Sequence, residues 1–341
     1  MKFNQHGREA NFTAPINQTV SVVVPVYRSE TTIGELIRRL FPVLNENFVD
    51  FELILVDDGS MDGGWNVIQE QAAQHSWVRG LRLMRNFGQH NALLCGIREA
   101  RHAVIVTMDD DLQYPPEKIP EMVEKMMDGF DVVYGSASER RHGFMRILMT
   151  RFTKFILKTV MRLPRTYEVS PLRAFSAELR GAFANHQGSF VSIDVLLSWA
   201  TSRFTCIRVN RNWRHDGQSR YTVAKLFTYT VNVITGFTVL PLRFASLVGF
   251  FFTLFGLGVL TYVLGRFLLE GVGVPGFAFL ASIIAIFSGA QLFALGIIGE
   301  YLARIHFHSM GKPTYVVAED TSNPHETAKE EASFHSELKQ V

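Results

Sequence analysis

Cysteine and net charge are both scarce in this sequence of 341 residues. Its two cysteines, Cys95 and Cys206, lie far apart and belong to no CxxC or Cys/His cluster. A disulfide framework, a zinc site and a redox pair are therefore not indicated, and the content suits a reducing compartment. The formal net charge of +2 is too balanced for a protein that binds nucleic acid through a basic patch. The sequence also lacks the GxxxxGK(S/T) phosphate loop, and no GxGxxG turn follows its first predicted strand, so neither P-loop nor Rossmann chemistry is indicated.

Charged residues are absent from two long segments, 244–265 and 277–298, each of 22 residues. About 20 apolar helical residues cross the hydrocarbon core of a bilayer. The linker between the segments is short and rich in glycine, so we expect a transmembrane hairpin of two helices. Basic residues lie mostly beyond the outer ends of these two segments, which places both termini and the preceding domain in the cytoplasm by the positive-inside rule. They are Lys225, Arg243, Arg304 and Lys312, with Arg266 alone in the linker.

Apolar runs rich in β-branched residues alternate with helical patterns over roughly the first 135 residues. Such runs predict buried strands, here at 20–26, 51–56, 81–84, 103–108 and 131–134. After the first run, apolar residues recur on one face of a helix, namely Ile33, Leu36, Ile37 and Leu40. Alternating strands and helices predict an α/β fold with a mainly parallel sheet, in which ligands bind beyond the carboxyl ends of the strands.

Acidic residues follow two of these predicted strands. Asp57 and Asp58 end the second strand, and Asp109 to Asp111, followed by Gln113, end the fourth. Asp109, Asp111 and Gln113 all carry hard oxygen ligands, and their alternate spacing can direct them at one ion. Mg²⁺ or Mn²⁺ takes one or two such carboxylates and completes its shell with water and phosphate. The alternative interpretation is an acidic loop with a solvated face.

Two segments have the pattern of helices at a membrane surface. In 142–163, apolar and aromatic residues recur at helical spacing and basic residues occupy the other positions, which is typical of a helix in the membrane interface. An ordinary core-packing helix with a solvated basic face is the alternative. Residues 223–241 form a second such segment. The chain from about Ala318 is polar and charged, which predicts disorder.

These patterns divide the chain into five parts. They are an N-terminal arm (1–19), a cytoplasmic α/β domain (20–222) that includes the interfacial helix, a second interfacial helix (223–241), a transmembrane hairpin (242–305) and a cytoplasmic tail (306–341).

The motifs PVY, VDDGS, RNFGQH and DDDLQYPPE, in this order, resemble those of family 2 glycosyltransferases with the GT-A fold. Residues 214–221 are similar to the family's R-x-x-G-x-S-(K/R)-Y. Pro241-Leu-Arg243 and 289–305 are similar to the membrane part of bacterial polyprenyl-phosphate glycosyltransferases. The resemblance spans about residues 20–317.

The resemblance implies an inverting, metal-dependent transfer of a sugar from a nucleotide diphosphate to polyprenyl (undecaprenyl) phosphate. The donor is a nucleotide-diphosphate sugar, with UDP favoured over GDP, and the product serves cell-envelope glycan synthesis or lipopolysaccharide modification. The location implied is the bacterial inner membrane, and association into a homo-oligomer is compatible with it.

The family pattern assigns roles to individual residues. The nucleotide contacts Pro25, Tyr27, Asp57, Asp58, Asp109 and Asp110. Mg²⁺ or Mn²⁺ is held by Asp109, Asp111 and Gln113, and the catalytic residues are Asp109, Asp111 and Arg173. The phosphates of donor or acceptor contact Arg140, Arg146, Arg151, Arg214, Ser219 and Arg220.

Two rival functions stay open. A processive polysaccharide synthase of the same superfamily would carry a Q-x-x-R-W motif and more spans, which this sequence lacks. A catalytically silent membrane scaffold would not need intact Asp109, Asp111 and Gln113. Glu168 is a candidate general base, with a loop acid beside a cationic site as the alternative.

Overall fold

The computed structural model describes residues 16–137, 169–184, 186, 191–210, 231, 234–270 and 276–322. The predicted interfacial helix at 142–163 and most of the second one lie outside this part of the chain. The strands are β1 (Ile16–Val26), β2 (Phe48–Asp57), β3 (Val78–Leu83), β4 (Val104–Thr107), β5 (Val132–Ala137), β6 (Arg173–Ser176), β7 (Phe204–Val209) and β8 (Val317–Asp320). The helices are α1 (Ile33–Asn47), α2 (Gly64–Gln74), α3 (Gln89–Glu99), α4 (Ile119–Met127), α5 (Gly181–Ala184), α6 (Ile193–Ala200), α7 (Leu240–Glu270) and α8 (Phe277–Ser309).

The eight strands form one sheet in the order β7-β5-β6-β4-β1-β2-β3-β8. The central strands β4, β1, β2 and β3 are parallel neighbours, and β5 is parallel to β7. Strand β6 runs antiparallel to β4 and to β5, and β8 runs antiparallel to β3. The predicted α/β fold with a mainly parallel sheet is confirmed, and all five predicted strands are present with bounds that shift by a few residues.

Both faces of the sheet are covered by helices, which explains why the central strands are apolar at consecutive positions. Val22 and Val24 point to the core on one face, and Val23 points to the core on the other. The predicted apolar face of α1 is buried, as Ile33, Leu36, Ile37 and Leu40. Burial of each such side chain contributes about 1.5–3 kcal/mol to the stability of the fold. The packed faces fix the register of the strands, and with it the positions of the loops at their ends.

Strand β8 is a difference from the sequence-based expectation. The polar composition from about Ala318 predicts disorder, and that prediction is wrong for residues 318–322. Its two acids meet two arginines of β3. Arg79 Nη2 lies 2.6 Å from Asp320 Oδ2, and Arg82 Nη1 lies 2.8 Å from Glu319 Oε1. Charge pairing and the open backbone edge of β3 therefore order a segment that has little apolar surface to bury.

Helices α7 and α8 contain both predicted spans. Each is long and apolar enough to cross a membrane, and their apolar windows are not buried against the rest of the described chain. The two helices contact each other through Phe287, whose ring centre lies 5.4 Å from that of Phe252. Near the other end, the Tyr301 hydroxyl donates to the carbonyl of Thr238 at 2.6 Å. These contacts agree with the predicted two-helix hairpin.

Candidate active site

The loops that follow β1, β2, β3 and β4 all leave from the carboxyl edge of the sheet, because these four strands are parallel neighbours. Most of the predicted nucleotide and metal residues lie in three of these loops. The fourth, after β3, contains the RNFGQH motif. The topology therefore brings sequence motifs that are far apart in the chain to one edge, as expected for an α/β sheet.

Asp57 ends β2 with a fully buried side chain. Its Oδ1 accepts a hydrogen bond from the backbone N–H of Ser60 at 3.2 Å. Its Oδ2 is buried and has no hydrogen-bond partner among the described residues, and the nearest cation is Arg82, with Nε at 3.8 Å. Burial raises the pKa of this carboxyl above its ordinary value. A buried acceptor without a hydrogen bond is uncommon in a folded protein, and it provides an atom for an N–H group of a ligand.

Asp58 holds the loop after β3. Its Oδ1 accepts from the backbone N–H of Phe87 at 2.7 Å, and its Oδ2 accepts from that of Gly88 at 2.9 Å. Burial raises the pKa of Asp58 to about 6. Gly59 brings the two loops close, since a Cβ at this position would lie 2.4 Å from the carbonyl carbon of Arg85. Asp58 thus positions the RNFGQH loop, and its predicted nucleotide contact stays a prediction.

The loop after β4 is ordered by its own side chains. Asp111 accepts from the backbone N–H of Gln113 at 3.1 Å and from its side-chain Nε2 at 2.5 Å. Between them, Leu112 is left-handed, with φ of 52°, and its side chain is buried. A left-handed residue with a Cβ costs about 1–2 kcal/mol, which the buried side chain helps to offset. The turn brings two of the three predicted metal ligands into contact.

Asp109 and Asp110 link this loop to its neighbours. Asp109 Oδ1 accepts from Nε2 of Gln89 in the RNFGQH motif at 2.6 Å. Asp110 accepts from the side chain of Ser29 and from the backbone of Tyr27, while burial raises the pKa of Asp110. The middle acid of the triplet therefore ties the loop after β4 to the loop after β1.

The loop after β1 contains the remaining predicted nucleotide residues. Pro25 is buried in β1 and Tyr27 is half-buried at its end. The guanidinium of Arg28 lies 5.2 Å from the centre of the Tyr27 ring, and the Arg28 backbone N–H donates to Ser60 Oγ at 3.0 Å. The loops after β1 and β2 are thus joined next to Asp57.

The oxygen atoms at this edge of the sheet are suitable ligands for a hard divalent metal ion. Asp109, Asp111 and Gln113 offer only oxygen ligands, which is the preference of Mg²⁺ and Mn²⁺. Within the described part of the chain, no three His, Cys, Asp or Glu side chains surround a common point. An ion held here would therefore depend on the Gln113 amide oxygen and on oxygens of water or a bound phosphate, in addition to the two carboxylates.

A buried polar cluster that the sequence did not predict lies on β5, β6, α3 and α6. Arg173 Nη1 pairs with Asp194 Oδ1 at 2.7 Å, and the Tyr134 hydroxyl donates to the same oxygen at 3.0 Å. The backbone N–H of Ile193 donates to Nδ1 of His90 at 3.4 Å, and burial lowers the pKa of His90 to about 4.

This cluster bears on the role predicted for Arg173. Its side chain is 4% exposed, so the guanidinium assigned to catalysis is committed to a buried carboxylate, and a substrate contact stays a prediction. The signal that could have found the partner is a lone acid, Asp194, in the apolar run SIDVLL, because a buried acid requires a partner.

The other predicted phosphate-binding residues lie outside the described residues, as does the candidate base Glu168. They are Arg140, Arg146, Arg151, Arg214, Ser219 and Arg220. Their assignments therefore stay predictions.

Comparison with known proteins identifies a family and several relatives. The model of the family described as Glycosyl transferase family 2 matches residues 21–181. The undecaprenyl-phosphate 4-deoxy-4-formamido-L-arabinose transferase of Shewanella sediminis is 33% identical over 301 residues, which are 87% of this chain and 91% of that protein. The protein of the same name from Klebsiella pneumoniae is 32% identical over 324 residues, 94% of this chain and 98% of that protein.

A solved structure is similar over part of the chain. It is the glucosyl-3-phosphoglycerate synthase of Mycobacterium tuberculosis in complex with Mn²⁺ and uridine-diphosphate-glucose, with 22% identity and a TM-score of 0.47 over 64% of this chain and 77% of that chain.

The prediction of a sugar-transferring enzyme is confirmed by the relatives, which match nearly the whole chain and not only its α/β domain. The predicted resemblance is confirmed with it: the chain has the GT-A fold and belongs to glycosyltransferase family 2.

Proposed function

We propose that this glycosyltransferase transfers a sugar from a UDP-sugar to undecaprenyl phosphate, with inversion at the anomeric carbon. The observation that carries the proposal is that one sheet has an acid-lined carboxyl edge and also receives β8, the strand that follows two exposed apolar helices. A site for a charged donor and an anchor for a lipid acceptor are therefore parts of one structural unit. The names of the relatives from S. sediminis and K. pneumoniae supply the acceptor.

The choice of a uridine nucleotide rests on Asp57. Its Oδ1 is taken by the Ser60 N–H, and its buried Oδ2 has no hydrogen-bond partner in the described chain. A single acceptor matches the single imide N–H of uracil, whereas guanine offers two adjacent N–H donors that a carboxylate would bind with both oxygens. Pro25 and Tyr27 are the chain neighbours of Val26, the register partner of Asp57, and would contact the nucleotide from the end of β1.

The donor's diphosphate would be met by the loop after β4. Asp109 and Asp111 would hold Mg²⁺ or Mn²⁺ together with the carbonyl oxygen of Gln113, because the amide nitrogen of Gln113 already donates to Asp111. The ion, when bound, would neutralise the charge that develops on the leaving diphosphate. Gln89 fixes Asp109 and the turn at Leu112 fixes Asp111, so the two carboxylates are oriented before the donor arrives.

The acceptor phosphate is the nucleophile. Its second pKa is about 6, so it is largely ionised at neutral pH and needs no strong general base. A phosphate oxygen forms the new bond to the anomeric carbon as the bond from that carbon to the donor's diphosphate breaks, and the nucleotide diphosphate leaves with the electron pair. The predicted arginines, from Arg140 to Arg220, would neutralise the phosphates through paired hydrogen bonds.

The site would lie at the cytoplasmic face of the bacterial inner membrane. Arg243, Arg304 and Lys312 flank the two apolar helices on one side, which favours a cytoplasmic position for both termini. Trp199 of α6 contacts Phe237, just before α7, with ring centres 5.5 Å apart. This contact holds the α/β domain next to the start of the first span, within reach of a lipid headgroup. Assembly into a homo-oligomer stays a prediction.

The proposal is tested with purified protein, a panel of UDP- and GDP-sugars, and undecaprenyl phosphate or a polysaccharide primer as acceptor. We expect product only with the lipid phosphate and only with a divalent metal. Asp111→Ala should abolish turnover, and Asp128→Ala, which removes an exposed acid at the end of α4, should not. Product with the primer alone would indicate a processive synthase instead. No turnover of any donor would favour the silent scaffold, and turnover in EDTA would remove the metal from the proposal.

A further inference from the structure

Three charged residues form a row across the strands β2, β3 and β8. Asp57 is the register partner of Arg82, and Arg82 is the register partner of Glu319. Residues directly opposite each other on neighbouring strands project from the same face of the sheet. The row therefore runs from the edge strand β8 to the buried carboxylate that the proposed function assigns to the donor's base.

Glu319 holds the guanidinium of Arg82 in place. Arg82 Nη1 lies 2.8 Å from Glu319 Oε1, and Nε1 of Trp65 donates to Glu319 Oε2 at 3.0 Å. The same Trp65 ring centre lies 5.9 Å from the guanidinium carbon of Arg82. Both carboxylate oxygens of Glu319 are thus bound, and the partly exposed arginine lies next to a carboxylate and an indole.

Arg82 meets Asp57 at a distance that is too long for a hydrogen bond. Its Nε lies 3.8 Å from Asp57 Oδ2, beyond the usual range for N–H···O contacts. At this separation the guanidinium favours the charged carboxylate without occupying its lone pairs. If Arg82 moved closer by about 1 Å it would occupy the acceptor directly, and if it moved away the buried carboxylate would lose its only nearby cation among the described residues.

We propose that Glu319 is a positioning residue of the donor site, which holds Arg82 at a distance that leaves Asp57 Oδ2 without a hydrogen bond and so available to the nucleotide base. The inference rests on the proposed function, in which Asp57 binds that base. It makes the segment after the second apolar helix a part of the donor site, although Glu319 is more than 200 residues from the other members of the row.

Glu319→Gln tests the inference, and Asp320→Asn is its matched control. Asp320 is the next residue on the same strand, but it pairs with Arg79, which also pairs with Glu99 of α3. Loss of the partly exposed Arg82–Glu319 pair should raise the KM for the UDP-sugar about fivefold, the scale of an ion pair worth about 1 kcal/mol. The kcat and the KM for undecaprenyl phosphate should stay within about twofold, and Asp320→Asn should leave all three constants within about twofold.

The row also predicts coupling between its ends. In an Asp57→Asn background, which itself should raise the donor KM, Glu319→Gln should add little, because its effect acts through Asp57. If Asp57→Asn leaves the donor KM unchanged, the proposed donor site is wrong. If Asp57→Asn raises it while Glu319→Gln does not, or if the two effects add fully, only the role of Glu319 is wrong.

A second variant protects the test against simple misfolding. If Glu319→Gln lowers the melting temperature so far that its kinetics cannot be measured, Arg82→Lys replaces it, since lysine keeps the charge but cannot contact Glu319 and Asp57 with one planar group. A donor KM raised with unchanged kcat supports the inference. An unchanged donor KM in a folded Arg82→Lys variant overturns it.

Discussion

Arg173 and Asp194 form an ion pair between Nη1 and Oδ1 at 2.7 Å, with 4% and 6% of their side chains exposed. The pair joins β6 to α6, and Tyr134 adds a hydrogen bond from β5 to the same oxygen. His90 lies close enough for both charges to act on its pKa, which burial lowers to about 4, so it is neutral near pH 7. The cluster therefore holds one cation and one anion, and its charges balance only while both are present.

Arg173→Ala should destabilise the protein by about 3–5 kcal/mol, because removal of one partner leaves a buried charge without compensation. The melting temperature of the detergent-purified protein measures this loss. Arg203→Ala is the control, since Arg203 pairs with Asp131 on the surface and should change the melting temperature little. Equal shifts in melting temperature in the two variants would show that the buried ion pair contributes no more to stability than the surface pair.

Asp58 should make donor binding sensitive to acid. Its pKa is raised to about 6, and only the ionised carboxylate can accept from both Phe87 and Gly88. The affinity for a UDP-sugar, measured without acceptor, should therefore fall as the pH is lowered through about 6. In Asp58→Asn the affinity for the UDP-sugar should be low at every pH, and it should not fall further as the pH is lowered through about 6. A wild-type affinity that is flat from pH 7 to 5 would contradict the assignment.

The Asp58 carboxyl should affect the stability of the fold in the opposite direction to donor affinity: acid weakens donor binding but increases the stability that this group contributes. Its pKa is about 6 in the folded chain, above the ordinary value of 3.8, so between these values the folded state binds more protons than the unfolded state. The contribution of Asp58 to the free energy of unfolding is then largest below about pH 4 and declines as the pH rises to about 6. The melting temperatures of wild type and Asp58→Asn, compared across this range, measure that decline as a difference between the two proteins.

Gly59→Ala should disturb the donor site, whereas Gly129→Ala should not. Both glycines are left-handed, with φ of 65° and 95°, so both variants carry a strain of about 1–2 kcal/mol. A Cβ at Gly59 would also lie 2.7 Å from the backbone nitrogen of Asn86, while nothing lies within 4 Å of one at Gly129. Donor affinity should therefore fall in Gly59→Ala alone, as measured by titration with a UDP-sugar. A similar loss in both variants would assign the effect to strain and not to loop contact.

Cys95 should resist alkylation in the native protein. It is fully buried, and burial raises the pKa of its thiol to about 12, so almost no thiolate is present near neutral pH. Cys206 is only partly buried and should react first. Mass spectrometry after treatment with iodoacetamide should find label on Cys206 in the native state and on both cysteines after unfolding. Early label on Cys95 would show that α3 opens readily.

The parts of the fold that could be predicted from the sequence are those with a local signal. Val20 to Val26 is an apolar run rich in β-branched residues, so β1 follows from local composition, and the face of α1 follows from the spacing of Ile33, Leu36, Ile37 and Leu40. The edge loops are predictable for a related reason: each directly follows an apolar run in the chain, and parallel topology places the loops together.

The parts that could not be predicted depend on pairing between distant segments. Glu319 follows only a short apolar run, residues 315–318, and its place at the edge of β3 depends on Arg79 and Arg82, far earlier in the chain. Asp194 likewise acquires its role from Arg173 and Tyr134 on other strands. Within the site, the spacing of Asp109 and Asp111 predicts a metal ion held by both. It does not predict that Gln89 donates a hydrogen bond to Asp109, or that Asp110 contacts the loop after β1.

The return of β8 to the sheet has a consequence for biosynthesis. Because this strand follows α8, the ribosome must deliver both apolar helices before the edge of β3 can be covered. Until then β3 presents unpaired N–H and C=O groups, which can pair with other chains. Closure of the catalytic sheet therefore comes late, after the helices destined for the bilayer have emerged, and a nascent chain that stalls between them has an α/β domain with one open side.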